Sequence, residues 1–144
     1  RIEMERSLGI DVINPLTDDV KAYIYANNDD EGVDVLVEAS GHPSAAKMMT
    51  ELAGVRGEIL LLSVFKEPTP LDLRTVNFAE QQIIGTRVYT ALDYKDAIDY
   101  LKQYGAKLEP VISHVKPLDE GQEVFQEIIS GKTNTMKVLL KVSD

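Results

Sequence analysis

The chain has 144 residues, a formal net charge of −9, and 44% hydrophobic against 27% charged residues. These are globular values for about one domain, and acids spread along the whole length argue against a nucleic-acid or anionic-membrane surface as the main partner. Cysteine is absent, which excludes disulfides, thiolate metal sites and thiol nucleophiles; no apolar run approaches the ~20 residues of a membrane span, and the opening Arg-Ile-Glu-Met-Glu-Arg is no signal peptide, so a cytoplasmic α/β protein is expected.

Ile2, Met4 and Leu8, with charges between them, predict the end of an amphipathic helix stopped by Gly9. Residues 10–14 (IDVIN) read as a short strand ended by Pro15. Thr17 or Asp18 then caps a helix to about Ala26, with Val20, Tyr23 and Ile24 on its buried side. After the polar loop 27–32, the Val- and Leu-rich run 34–39 has the composition of a strand buried on both faces. Pro43 suits a first helical turn, and Ala45, Met48, Met49 and Leu52 recur at helical spacing. Gly54 and Gly57 are expected to close that helix, and 58–65 is a second apolar strand. Strand, helix, strand predicts a parallel pair with a right-handed crossover. Ligands of such sheets sit at the carboxyl ends of the strands, which here are residues 39–41 and 63–65.

Lys66-Glu67-Pro68-Thr69-Pro70 cannot be regular helix or central strand, and 71–80 is either one helical turn or an edge strand. Residues 82–89 are strand-like, with Gly85 where a backbone or ligand comes close. Asp93 opens a helix whose Tyr94, Ala97, Ile98, Leu101 and Tyr104 share a face and which Gly105 ends. Residues 111–115 read as a strand. Residues 117–129 read as a helix with Leu118, Gly121, Phe125 and Ile128 on one face and Gly131 as its stop. A final strand, 136–142, alternates Val138, Leu140 and Val142 on one face. Strands alternating with helices give the α/β class.

In this order the segments RSLGIDVINP, GVDVLVEASGHPSA, GEILLLSVF, VNFAEQQIIGTRVY, the helix from Asp93, PVISHVKPLDEGQEVFQEIISGK and KVLLKV carry a likeness that takes in effectively the whole chain. They resemble the C-terminal portion of the zinc-dependent medium-chain alcohol dehydrogenases, in the polyol and threonine dehydrogenase branch. The resemblance implies an incomplete Rossmann-like parallel sheet over 1–89 and the C-terminal return segment of the catalytic domain over 90–144. It places residue 1 in the helix after the family's second strand. The glycine-rich turn, the ribose-binding acid and the zinc ligands then belong to a preceding half. No G-x-G-x-x-G occurs, and with no cysteine and only His42 and His114 the chain cannot rebuild a zinc site. The implied reaction moves a hydride from a secondary alcohol, a small polyol or hydroxy-amino acid, to NAD or NADP, with zinc polarising the alcohol. This chain alone is expected to be inactive; the alternative is an α/β fragment that neither binds cofactor nor turns over. In the family's strand order, IDVIN is left without a neighbour and DVLVEAS becomes an exposed apolar edge. Self-association through the 82–89 strand edge is expected from the family's dimers.

By the same resemblance, Ser40 and Gly41 pack against the nicotinamide ribose, and Ser63 and Val64 face the carboxamide. Gly85, Thr86 and Val88 supply the last contacts to carboxamide and ring, while Lys137 meets the pyrophosphate, a charge-assisted contact of ~1.5–3 kcal/mol when desolvated. Each has a plainer reading: Gly41 as a turn glycine, Ser63 and Thr86 as strand-end residues, Lys137 as a solvated lysine. Nothing nearby in the sequence fixes the tautomer of His42, and His114 reads as structural. Glu38, following an apolar run, is expected to tie adjacent loops by hydrogen bonds and not to be catalytic. Tyr94, Tyr100 and Tyr104 read as core and interface of one helix.

Overall fold

A computed structural model describes residues 2–131 and 135–143, so the start of the first helix at Arg1 lies outside the described residues. The chain divides into two units: Asn14–Val88, and the described residues of 1–13 and 89–144.

The first unit is a three-stranded parallel sheet, β1 (Val33–Glu38), β2 (Ala53–Leu61) and β3 (Gln82–Gly85), in that order. Helix α3 (Pro43–Leu52) connects β1 to β2, and α4 (Leu73–Phe78) precedes β3. The βαβ unit and its parallel pairing are those expected. Met49, Ala46, Ala53 and Ile59 form the buried cluster, with Leu36, Leu61, Phe65, Leu71 and Ile83 packed against it. Gln81, also buried, donates to the carbonyls of Thr50 and Ala53 at 2.9 and 2.7 Å, and the Tyr25 hydroxyl donates to Glu51 O at 3.2 Å. The last carbonyls of α3, which lack partners inside the helix, are satisfied in this way. Helix α2 (Val20–Ala26) is capped by Asp19, not Thr17 or Asp18; Ile24 and Tyr25 are half-buried, whereas Tyr23 is exposed.

Several expectations are corrected in this unit. Strand β1 is not buried on both faces: Leu36 packs inward, but Val35 and Val37 are 55% and 51% exposed. Gly54 and Gly57 do not close α3. The helix stops at Leu52 and runs directly into β2, where both glycines serve a close crossing with β1. β2 ends at Leu61, so 63–65 lies in the loop beyond it. β3 ends at Gly85 because its partner ends opposite it at Leu61 and because Val88, at φ +62°, leaves the extended region. No strand forms at 10–14: among the described residues no strand pairs with it, and the Asn14 amide instead donates to the Asp18 carboxylate at 2.7 Å.

The second unit contains α1 (Ile2–Ser7), α5 (Ala91–Leu108), β4 (Ile112–Pro117), α6 (Gly121–Ser130) and β5 (Lys137–Lys141), with β4 and β5 paired in parallel. Thr90 caps α5 in a reciprocal box: its hydroxyl accepts from the Asp93 amide while the Asp93 carboxylate accepts from the Thr90 amide. The Thr90 amide, and after it the Thr90 hydroxyl, donate to the Asp93 carboxylate and hold it below its usual range. Gly105 does not end this helix, because an isolated helical glycine weakens a helix without breaking it. The apolar face of α5 is not core: no residue of the helix is buried, and Tyr94, Ile98, Tyr100 and Leu101 are all exposed. In α6 the buried positions are Gly121 and Val124, not Phe125 and Ile128, since Gly121 lies against the Leu140 methyl of the two-stranded sheet. Gly131 stops α6 at φ +63°, as its spacing predicts.

Candidate functional site

The carboxyl ends of the parallel strands β1, β2 and β3 come together through one side chain and two carbonyls. Glu38, the last residue of β1, is 3% exposed. Its Oε1 accepts from the Ser40 amide at 2.8 Å, the Ser40 hydroxyl at 2.6 Å and the Gly41 amide at 2.9 Å, and its Oε2 accepts from the Ser63 hydroxyl. Its backbone carbonyl receives the amides of Leu62 and Ser63 at 2.9 and 3.2 Å. On the other side of β2, the Thr86 amide and hydroxyl both donate to Leu61 O, at 3.1 and 3.0 Å. Ser40, Gly41, Ser63, Val64 and Thr86 therefore lie on three loops tied to the ends of adjacent strands, and Gly85 is the last residue of β3.

Gly41 has a reason beyond the turn it makes. Its φ is +66°, and a side chain there would bring Cβ to 2.9 Å from the carbonyl oxygen of Val64. The two loops approach as backbone on backbone, at a separation with no room for a Cβ. Val88 follows in a left-handed conformation and is 83% exposed. Lys137 belongs to the other unit, where it opens β5 with an exposed side chain and its carbonyl accepts from the Ser113 hydroxyl at 3.1 Å.

His42 has a local task. It is the N-cap of α3, and its Nδ1 accepts from the Ser44 amide at 3.2 Å. The tautomer that the sequence left open is thereby set, with Nδ1 as acceptor. His114 sits on β4 opposite Val138.

Burial acts to raise the Glu38 carboxyl, but the donors from Ser40, Ser63 and Gly41 outweigh it and hold the group below its ordinary value of 4.5. With every donor aimed at its lone pairs, this carboxylate is a structural acceptor and not a free base. The sign of the linkage follows. A depressed folded value adds stability that is present above about pH 4.5 and is lost as pH falls through the lower folded value. Urea midpoints measured from pH 7 down to pH 3 are expected to fall more steeply for the unmodified chain than for Glu38→Gln. Parallel profiles would contradict this.

With this geometry in view, the comparisons with known proteins are direct. The zinc-binding dehydrogenase family model matches residues 1–103. The chain belongs to this family. It is 33% identical over 141 residues to a 2-dehydro-3-deoxy-L-galactonate 5-dehydrogenase of Pseudoalteromonas atlantica, covering 98% of this chain and 41% of that protein. It is 29% identical over 141 residues to an L-threonine 3-dehydrogenase of Chromobacterium violaceum, covering 97% of this chain and 41% of that protein. Its fold matches an alcohol dehydrogenase of Escherichia coli CFT073 solved with NADH, at a TM-score of 0.80 and 22% identity, over 98% of this chain and 41% of that one. The chain thus spans about two fifths of the length of the relatives it matches.

Membership fits the C-terminal portion of a zinc-dependent dehydrogenase and its parallel α/β sheet. The zinc of the family name does not fit the residues present. Among the described residues no group of three or more His, Cys, Asp or Glu could hold a metal ion. No helix among them is long and apolar enough to cross a membrane.

Proposed function

We propose that this zinc-binding dehydrogenase chain seats the nicotinamide half of NAD or NADP for an oxidoreductase acting on a secondary alcohol of a small polyol or hydroxy-amino acid. On this reading 1–89 is the partial dinucleotide domain and 90–144 the return of the chain to the catalytic domain. The observation that carries it is the close backbone approach at Gly41, where the missing side chain lets two strand-end loops meet, 2.9 Å being the distance a Cβ would stand from Val64 O. It lies at the strand ends where open parallel sheets take their ligands. The named enzymes among its relatives, which are dehydrogenases of a sugar acid and of threonine, support the substrate class.

Bound there, the dinucleotide would supply hydride acceptance. Ser40 and Gly41 would hold the ribose, Ser63 and Val64 the carboxamide, and Gly85, Thr86 and Val88 the ring. A cytoplasmic location and self-association along the outer edge of β3 belong to the same reading. β3 pairs only with β2 among the described residues, and Ile84 is 39% exposed.

Titration of the purified 144-residue chain with NADH and with NADPH tests it. A saturable quench or shift of the nicotinamide fluorescence is expected with at least one of them, together with no alcohol-dependent turnover. A fluorescence signal unaltered by the chain at millimolar dinucleotide would favour a fragment without cofactor binding.

A further inference from the structure

We propose that Glu38 is the positioning residue of the dinucleotide site, setting the distance between the loops after β1 and β2 without touching the ligand. The role rests on the cofactor reading above and extends it to a residue that reading does not use.

Among the described residues Glu38 is the one buried side chain that carries a charge, yet no cation pairs with it; its donors are neutral amides and hydroxyls. A buried carboxylate without a counter-ion is held in place only by such donors, and each charge-assisted bond is stronger than a neutral one. The partition of those donors is what gives the position its effect. One oxygen gathers the loop after β1 through the Ser40 and Gly41 amides, and the other takes Ser63 from the loop after β2. The carboxylate is therefore a bridge of fixed length. Gly41 approaches Val64 across that bridge, at a separation with no room for a Cβ. Changing the bridge changes the separation of the two loops while leaving their other residues in place.

Substitution separates the two oxygens. In Glu38→Gln the amide oxygen still accepts from Ser40 and Gly41, and the amide nitrogen donates to the Ser63 hydroxyl, which turns its own proton away. In Glu38→Ala both arms are lost. NADH titration is expected to show at least tenfold weaker binding for Glu38→Ala and a change within about threefold for Glu38→Gln. Hydrogen exchange at the Ser40 and Gly41 amides, read without dinucleotide, is expected to quicken at least tenfold in the alanine variant only. Ser63→Ala cuts one arm without emptying the site, which covers a failure of Glu38→Ala to fold; it is expected to weaken binding severalfold with its far-ultraviolet circular dichroism unchanged. Binding of full strength in a folded Glu38→Ala or Ser63→Ala chain overturns this role alone. No response of the unmodified chain to NADH overturns the cofactor reading itself and takes this role with it.

Discussion

Replacing Ile59 by alanine is expected to lower the free energy of unfolding by about 2–5 kcal/mol. Ile59 has no exposed surface, stands at the centre of the cluster with Ala46, Met49 and Ala53, and is paired on both sides of its strand, with Leu36 on β1 and with Ile83 on β3. Removing its three outer carbons opens a void beneath α3. The strands on either side are held in register by their own ladders, so the walls cannot close over it. A domain of this kind has about 5–15 kcal/mol in total, so the change takes a large share. Urea denaturation followed by circular dichroism measures it. A loss below about 1 kcal/mol would mean that the cluster is not the core of this unit.

A comparable loss is expected from Gly32→Ala, for a different reason. A Cβ on Gly32 would stand 2.5 Å from the amide nitrogen of Gly54 and from the carbonyl oxygen of Leu52, and 2.7 Å from the carbonyl carbon of Ala53. All three are backbone atoms, so no side-chain rotation relieves the contact. The register shows why the crossing is so tight. Val33 pairs with Ala53 but Val35 pairs with Glu58, so residues 54–57 of β2 bulge out between them, with Arg56 at φ +61°. Gly57 is constrained at the same place, its Cβ direction meeting Val33 O at 2.9 Å. Overpacking usually costs about 1–3 kcal/mol, and contact with unyielding backbone belongs at or above the top of that range. Thermal melting compared with Gly105→Ala, which would meet nothing within 4 Å, isolates the effect. Equal melting temperatures for the two variants would show that the crossing can relax.

The two kinds of glycine mark what could be read in the sequence and what could not. Gly131 ends a helix and does so through local conformation, which a local pattern reveals. Gly54 and Gly57 stand at the same apparent signal, after an apolar helical run, but their task is contact with β1, some twenty residues earlier in the chain. Spacing within one element carries no trace of a neighbour. The same limit explains 10–14, a good strand pattern left without a partner, and α5, a good amphipathic pattern left without a cover. The parallel βαβ unit was legible because its apolar runs and its helix are each continuous in sequence. At the candidate site, Ser40 and Gly41 were marked by their place at a strand end. Glu38 was expected to tie loops, and its acid on an otherwise apolar run was the signal. Its connection to Ser63 became visible only with the strands paired, since 25 residues separate the two.

Helix α5 has one more consequence. Its 18 residues span about 27 Å and bury none of their side chains, so what holds the helix is its own sequence: the Thr90–Asp93 box, the Asp99–Lys102 ion pair at 2.8 Å and the Tyr100–Tyr104 ring contact at 4.8 Å. Interactions of that range do not share the all-or-none loss of a packed core. On warming, α5 is expected to unwind gradually from its ends, while the sheet around Ile59 is expected to melt in a single step. Part of the helical circular-dichroism signal is therefore expected to fade before the cooperative transition of the sheet.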